Sequence, residues 1–193
     1  MIRIATKADI PAILDIYGPY ILNTTYTFEY TIPTVSEFTA RFESITAQFP
    51  WLVWEENGTV LGYAYGSAPF ERAAYGWCSE ISVYLSPDAQ RKGIGRQLCL
   101  ALEDILWQQG YQVIFSLITS ENTPSLRFHE AIGYRPSFVC QHCGLKFGRW
   151  LDVHWLEKRR SVVETPSVTP VPWRIIVKND GKLSDILANL SLS

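Results

Sequence analysis

A cationic, glycine-containing turn joins a predicted strand to a predicted helix in the middle of this chain. The strand is indicated over 81–85, where aliphatic side chains alternate with Ser82 and Tyr84. The helix is indicated from Gly93 onward by apolar residues at helical spacing, and Gly110 ends it. The chain has 193 residues, enough for one sizeable core but short for two ordinary domains. We therefore expect a single α/β domain.

The turn itself has the composition of an anion site. Its residues are Gln90, Arg91, Lys92, Gly93, Ile94, Gly95 and Arg96. Backbone N–H groups at a helix start lack intrahelical acceptors, and a glycine lets phosphate oxygens approach closely. The pattern favours a diphosphate ligand, with a purely structural tight turn as the alternative. Leu98 stands where the dinucleotide-binding fingerprint needs its third glycine, and there is no P-loop pattern, so a different diphosphate is indicated.

The hydrophobic patterns in the rest of the chain predict the other strands and helices of a mixed sheet. Strands are predicted over 2–5, 51–54, 59–66, 112–118, 137–140 and 150–156, and helices over 37–48 and 124–132. A further helix is predicted to follow an N-cap at Thr6 and to run until Asn23-Thr24-Thr25 interrupts it. Asn57-Gly58 suits a tight hairpin turn, and Thr123 is the expected N-cap of the last helix. Gly144 and Gly148 are expected to lie between the last two strands. Residues 161–193 differ in character and are read as a C-terminal extension of a 1–160 domain, either flexible or docked.

The net charge and the cysteines limit which kinds of binding partner are expected. A formal net charge of -2, with scattered basic residues, gives no broad surface for nucleic acid. No export signal or apolar run of membrane length is present, so a cytoplasmic protein without membrane association is expected. Cys140 and Cys143 have the spacing of half a zinc site, but the chain lacks a second pair of ligands. We expect no metal there, and a place in the C-terminal hairpin instead.

Two motifs at matching distance carry a resemblance to a known family. The turn fits the pattern [QR]-x-x-G-x-[GA] through Gln90, Gly93 and Gly95, and Asn122 is followed by a short helix and Gly133-Tyr134. In both respects the chain resembles the GNAT superfamily of acyl-CoA-dependent N-acetyltransferases. The resemblance implies a GNAT fold, in which a mixed central sheet has helices on both faces and a splayed strand pair holds acetyl-CoA.

Longer stretches look like one subgroup of that superfamily. The segments 72–84, 126–134 and 146–153 are similar to the phosphinothricin and methionine sulfoximine acetyltransferases, and the similarity spans roughly residues 2–158. His129 stands where most of the superfamily has Tyr, as in this subgroup. The resemblance implies acetyl transfer from acetyl-CoA, as a co-substrate, to the primary amine of a small amino-acid-like molecule. It also suggests a homodimer.

The resemblance and the chemistry together assign candidate catalytic residues. Glu80, at the start of the 81–85 strand, is the candidate general base, although a Glu paired with a structural cation is the alternative. His129 is expected to donate a proton to the thiolate or to a water beside it, or to hold the base in place. A structural histidine is the alternative for that residue.

The other candidates contact the two substrates. Backbone groups of Val83, Tyr84 and Leu85 are expected to pair with the pantetheine arm, the 90–96 turn to hold the diphosphate, and Asn122 and Ser125 to complete the cofactor site. Asn122 is equally suited to capping the helix that follows. The expected amine-substrate contacts are Phe28, Arg72 and Tyr75, with an ordinary surface arginine as the alternative for Arg72.

Two other functions fit a fold of this kind. One is an acyl-CoA-binding sensor without turnover, which would lack a base near the strand. The other is a peptide or protein N-acetyltransferase, which would need an open groove, whereas Arg72 and its aromatic neighbours favour a closed pocket for a small molecule.

Overall fold

A mixed sheet organises the computed structural model, which describes residues 1–160 and 168–177. In those residues the sheet has seven strands in the order β1-β2-β3-β4-β5-β7-β6. The strands are β1 (Ile2–Ile4), β2 (Trp51–Glu56), β3 (Thr59–Ser67), β4 (Cys78–Leu85), β5 (Val113–Thr119), β6 (Arg135–Lys146) and β7 (Arg149–Arg159). Only β4 and β5 pair in parallel, and every other neighbouring pair is antiparallel.

Helices cover both faces of this sheet, as expected. They are α1 (Ile10–Asn23), α2 (Val35–Thr46), α3 (Ile94–Gln109), α4 (Thr123–Ala131) and the short α5 (Trp173–Val177). Successive side chains of β2 point to opposite faces of the sheet. Leu52 is buried in the hydrophobic cluster beneath α3, whereas Trp51 and Val53 are buried in the cluster with α1 and α2. The predicted α/β architecture is therefore confirmed.

Local capping explains where two helices begin. Thr34 Oγ1 accepts a hydrogen bond from Glu37 N (3.2 Å), and Glu37 Oε2 accepts one from Thr34 N (2.8 Å), so α2 begins at Val35, two residues before the predicted start. For α4 the predicted cap was wrong. Asn122, not Thr123, is the N-cap, and its Oδ1 accepts a hydrogen bond from Ser125 N at 3.2 Å.

The C-terminal hairpin is longer than predicted. Its turn is Phe147-Gly148, with φ values of 50° and 72°, and Lys146 pairs with Arg149 across it. Gly144 therefore lies within β6, not between the strands as predicted. A Cβ on Gly144 would lie 2.2 Å from Cε2 of Phe28, so the close approach of that ring explains the glycine.

Residues 168–177 pack against the rest of the described chain. Trp173 is buried in the α3-side core, and its Nε1 donates to the carbonyl of Thr46 at 2.8 Å. Val171 N donates to the carbonyl of Gln109 at 2.9 Å, so this segment connects the ends of α2 and α3. The amphipathic stretch predicted near 183–190 lies outside the described residues.

Candidate active site

The parallel strands β4 and β5 pair over only part of their length. Their register runs from Cys78 opposite Val113 to Glu80 opposite Phe115, and the two strands separate beyond that point. A narrow cleft of about 60 Å³ lies between the separated ends. Its lining residues are Tyr20, Tyr26, Ile81, Ser82, Val83, Tyr84, Ser116, Leu117, Ile118, Asn122, Ser125 and His129. The predicted splayed strand pair is therefore present.

The register with β3 shows which backbone groups of β4 face this cleft. Ser86 N donates to the carbonyl of Leu61 (2.9 Å), and Tyr84 lies opposite Tyr63. Since hydrogen-bonded pairs alternate along an antiparallel ladder, Tyr84 directs its backbone groups to β3, while Val83 and Leu85 direct theirs toward β5. The carbonyl of Leu85 already accepts a hydrogen bond from the hydroxyl of Tyr20 at 2.7 Å.

The three predicted pantetheine contacts on β4 differ in whether their backbone groups point toward the cleft. Val83 has backbone groups directed at the cleft and also lines it. Leu85 can offer its N–H, because its carbonyl is occupied. Tyr84 lines the cleft, but its backbone pairs with β3 and its ring packs on Tyr17 and Tyr20. The backbone pairing expected of Tyr84 is therefore wrong, because alternation along the ladder turns its groups away from the cleft.

Glu80 stands where the two strands begin to separate. Burial raises the pKa of its carboxyl to about 7. Among the described residues no Lys, Arg or His forms an ion pair with it, in contrast to the structural pairing considered above. A carboxyl in this condition takes up and releases a proton near neutral pH, which is what a general base needs.

His129 lies in the last turn of α4 and is 2% exposed. Its Nδ1 lies 2.9 Å from the carbonyl oxygen of Ser125, and its Nε2 is buried without a hydrogen-bond partner among the described residues. Burial lowers the pKa of the imidazole to about 4, partly offset by the hydrogen bond to Ser125. His129 is therefore neutral at physiological pH.

The predicted diphosphate turn has an unusual backbone. Arg91 and Gly93 both have positive φ, 61° and 78°, and a Cβ on Gly93 would meet nothing within 4 Å. Gln97 N donates to the carbonyl of Gly93 (3.1 Å), which leaves the N–H groups of residues 94–96 ahead of the first intrahelical bond. The side chains of Arg91, Lys92 and Arg96 are exposed and form no ion pair within the described residues. This end of α3 can receive an anion.

The three predicted amine-substrate contacts do not line the cleft. Phe28 packs against Gly144 of β6. Arg72 is exposed and has no ion pair in the part of the chain that the structure describes. Tyr75 packs on Phe70 (ring centroids 4.5 Å apart), which in turn contacts Phe115, the residue opposite Glu80. A series of contacting aromatic rings, which we call the aromatic path, therefore connects Tyr75 with the strand position opposite the candidate base.

Sequence reasoning missed two tyrosines of the cleft. Tyr20 and Tyr26, from the end of α1 and the loop that follows, both line it. The periodicity of α1 predicts a helix but does not show that its last turn reaches β4, so no sequence signal marked Tyr20. A larger groove of about 880 Å³ adjoins the cleft through these tyrosines, and Glu80 is among the lining residues of neither the groove nor the cleft.

Comparison with known proteins decides the family. The sequence pattern described as "Acetyltransferase (GNAT) domain" matches residues 2–155. The chain belongs to the GNAT acetyltransferase family. Two curated relatives of this GNAT chain are phosphinothricin N-acetyltransferase of Streptomyces viridochromogenes, 37% identical over 81% of this chain and 86% of the relative, and L-methionine sulfoximine/L-methionine sulfone acetyltransferase of Salmonella typhimurium, 35% identical over 81% and 92%.

Solved structures agree with this assignment. A GNAT superfamily phosphinothricin acetyltransferase from Sinorhizobium meliloti, in complex with acetyl-CoA, superposes with a TM-score of 0.81 at 35% identity, covering 89% of this chain and 92% of that one. The GNAT fold predicted from the two motifs and the resemblance to this subgroup are both confirmed.

Two further observations on the described residues concern membrane-spanning helices and metal sites. Within residues 1–160 and 168–177, no helix combines the length and the apolar character that crossing a membrane requires. In the same residues no group of three or more His, Cys, Asp or Glu side chains is placed to hold a metal ion. Cys140 and Cys143 lie in β6, where pairing with β7 is irregular.

Proposed function

We propose that this protein transfers the acetyl group of acetyl-CoA to the primary amine of a small amino-acid-like substrate, of the phosphinothricin or methionine sulfoximine type. The relatives that carry these names support the substrate class. The observation that carries the proposal is the position of Glu80 at the point where β4 and β5 separate, as a carboxyl with a pKa of about 7 and no ion pair within the described residues. A CoA-binding sensor would not need a base at that point.

Acetyl-CoA is placed in the splay between β4 and β5. The backbone groups of Val83 and the N–H of Leu85 would pair with the pantetheine arm as a neighbouring strand would, and the N-terminal end of α3 would receive the diphosphate. Asn122 and Ser125 line the same cleft. Asn122 Oδ1 is engaged in capping α4, so its amide NH₂ is the group available to a ligand.

The reaction proceeds by direct transfer in a ternary complex. Glu80, directly or through a water, takes a proton from the substrate ammonium, and the neutral nitrogen attacks the thioester carbonyl carbon. The C–N bond forms, the C–S bond breaks, and the nitrogen loses its second proton as the sulfur leaves. The products are the N-acetyl compound and CoA, and one proton is released from the original ammonium.

The amine substrate approaches from the side of Phe28, Arg72 and Tyr75. Arg72 offers an exposed, unpaired guanidinium within the described residues, and its planar fork matches a substrate carboxylate. The aromatic path from Tyr75 through Phe70 to Phe115 supplies an apolar wall that ends beside Glu80. This arrangement favours a small zwitterion over a peptide.

Cellular location, oligomeric state and domain division are further parts of the proposed function. We place it in the cytoplasm as a homodimer, with residues 1–160 as the acetyltransferase domain and 161–193 as its extension. All four cysteines are free, which is in keeping with a reducing compartment.

A thiol-release assay tests the function. Acetyl-CoA is incubated with the protein and a panel of free amino acids, methionine sulfoximine, phosphinothricin, polyamines and short peptides. Turnover confined to amino-acid analogues is the expected result. Turnover confined to peptides would support the protein acetyltransferase instead, and CoA binding without turnover on any amine would support the sensor.

A further inference from the structure

The hydrogen bond of His129 to Ser125 fixes the tautomer of the imidazole. A carbonyl oxygen can only accept, so the contact of 2.9 Å requires that Nδ1 of His129 carry the proton. The hydroxyl of Ser125 lies further away, 3.3 Å from Nδ1, and can share that proton or rotate away. In the neutral ring Nε2 then has a lone pair and no proton.

Within the described residues, that lone pair is buried and has no hydrogen-bond partner. Nε2 is among the buried atoms without a hydrogen-bond partner in the described residues, and His129 lines the cleft between β4 and β5. An unpaired buried acceptor costs free energy, which a ligand with a donor in the same cleft would recover. The cleft is the place where the pantetheine arm is expected.

The surroundings of the ring disfavour its charged form. No Asp, Glu, Lys or Arg is among the residues that line the cleft. Tyr134, at a ring-centroid distance of 5.3 Å, packs against His129, and Tyr20 and Tyr84 line the cleft; burial raises the pKa of all three hydroxyls, so these rings stay neutral near pH 7. The low pKa of His129 agrees with its burial beside a cleft whose lining residues carry no charged side chain.

The carbonyl of Val83 points toward the cleft, but two other acceptors near the cleft are already occupied and so are not free for the donors of a pantetheine arm. The carbonyl of Leu85 is occupied by the hydroxyl of Tyr20, and Oδ1 of Asn122 by the N–H of Ser125. We propose that Nε2 of His129 accepts a hydrogen bond from a donor on the cysteamine–pantetheine arm of CoA, and that His129 does not protonate the departing sulfur. This assignment rests on the proposed function, because it takes CoA as the ligand of the cleft.

The proton balance remains complete without an acid at position 129. A thiol has an ordinary pKa of about 8.5, so the sulfur can leave as a thiolate. It then takes the proton that the acetylated nitrogen loses, directly or through a water. His129 thus acts as a positioning residue for the CoA arm.

Nitrogen-15 NMR of the imidazole rings tests the tautomer directly. The chain has three histidines, and the His129→Gln and His142→Asn variants assign their signals. We expect the Nε2 shift of His129 to remain that of an unprotonated nitrogen from pH 5.5 to 9. A titration within that range, or a proton on Nε2 in the neutral ring, would overturn the assignment. This measurement is made on the free protein, so it holds whether or not the enzyme proves active.

Adding ligand tests the hydrogen bond. A change in the Nε2 shift with both CoA and acetyl-CoA would identify an amide N–H as the donor, and a change with CoA alone would identify the thiol. No change with either ligand, when calorimetry shows both bound, would overturn the proposal. Failure of either ligand to bind would refute the proposed function, while the tautomer would still be decided by the free protein.

The kinetics of the His129→Phe variant distinguish a positioning role from a general-acid role. A positioning role predicts a Km for acetyl-CoA raised about three- to tenfold, the usual range for one hydrogen bond, with kcat changed less. Loss of an acid would lower kcat by about one hundred- to ten thousandfold. His142→Asn, at an exposed position in β6, is the matched control and should leave both constants unchanged. Melting curves show whether the variants fold, and the wild-type spectra decide the tautomer if they do not.

Discussion

Glu80 and Phe115 are the last residues paired between the parallel strands β4 and β5, and the strands separate immediately beyond them. Glu80 therefore stands where the separation begins, next to the cleft that His129 lines, although Glu80 is not itself among the lining residues of that cleft. The candidate base therefore lies beside the cleft in which the CoA arm is proposed to bind.

Burial of Glu80 predicts a pH-dependent cost in stability. Its pKa is raised from 4.5 in the unfolded chain to about 7, so the folded protein holds the proton more tightly. The wild type should therefore lose stability relative to Glu80→Gln as the pH rises from about 4.5 to 7, by about 3 kcal/mol in total. Urea unfolding of both proteins at pH 5 and pH 8 measures this difference. An equal difference at the two pH values would show that the carboxyl titrates normally.

Gly93→Ala should weaken CoA binding through the diphosphate turn. The added methyl group occupies the open space over the N-terminal end of α3, and calorimetric titration with CoA should show at least a tenfold loss of affinity. Gly58→Ala is the matched control, because Gly58 has nearly the same φ (77°) and equally open space in the β2–β3 turn. Both variants should lose about 1 kcal/mol of stability from backbone strain. Equal CoA affinity in the two variants would refute the diphosphate role.

Gly144→Ala should disturb the amine substrate and leave acetyl-CoA binding intact. Its Cβ would lie 2.2 Å from the ring of Phe28, so the ring must move. We expect a raised Km for the amine and an unchanged Km for acetyl-CoA. The double variant Phe28→Ala/Gly144→Ala should behave like Phe28→Ala alone, since the clash is then removed. Additive effects would mean that Gly144 acts independently of Phe28.

Trp173 should stabilise the domain although it lies beyond the part matched by the family. Trp173→Ala removes a buried ring and its hydrogen bond to Thr46, and should lower the free energy of unfolding by about 3 kcal/mol. Ile175→Ala, in the same short helix but 57% exposed, should change it by less than about 0.5 kcal/mol. Similar unfolding midpoints for the two variants would show that residues 168–177 contribute little to the fold.

Most of the fold was predictable because its signals are local. Alternation along 81–85, helical spacing after Gly93 and the glycines at 93 and 110 each depend on neighbouring residues alone. The extent of β6 and β7 was not predictable, because their outer residues are exposed and carry no alternating apolar pattern. The N-cap of α4 was placed one residue late because Asn122 and Thr123 are both good capping residues.

The site was predictable in part, for a similar reason. A motif placed Asn122, and the resemblance of segments 72–84 and 126–134 to one subgroup placed Glu80 and His129. The fold brings Asn122 and His129 into one cleft. Tyr20 was missed because its contact with Leu85 joins residues far apart in the chain. The occupied carbonyl of Leu85 and the unpartnered Nε2 of His129 are products of tertiary packing, which sequence spacing does not encode.

The most direct test of the account is the acetylation rate of Glu80→Gln, measured with saturating acetyl-CoA and the best amine of the panel from pH 5.5 to 9. Glu56→Gln, in the exposed end of β2, is the control. We predict a rate lower by about one hundred- to ten thousandfold for Glu80→Gln, loss of the rise that the wild type shows through pH 7, and unchanged CoA affinity. A Glu80→Gln variant that turns over like the wild type across this range would contradict the account.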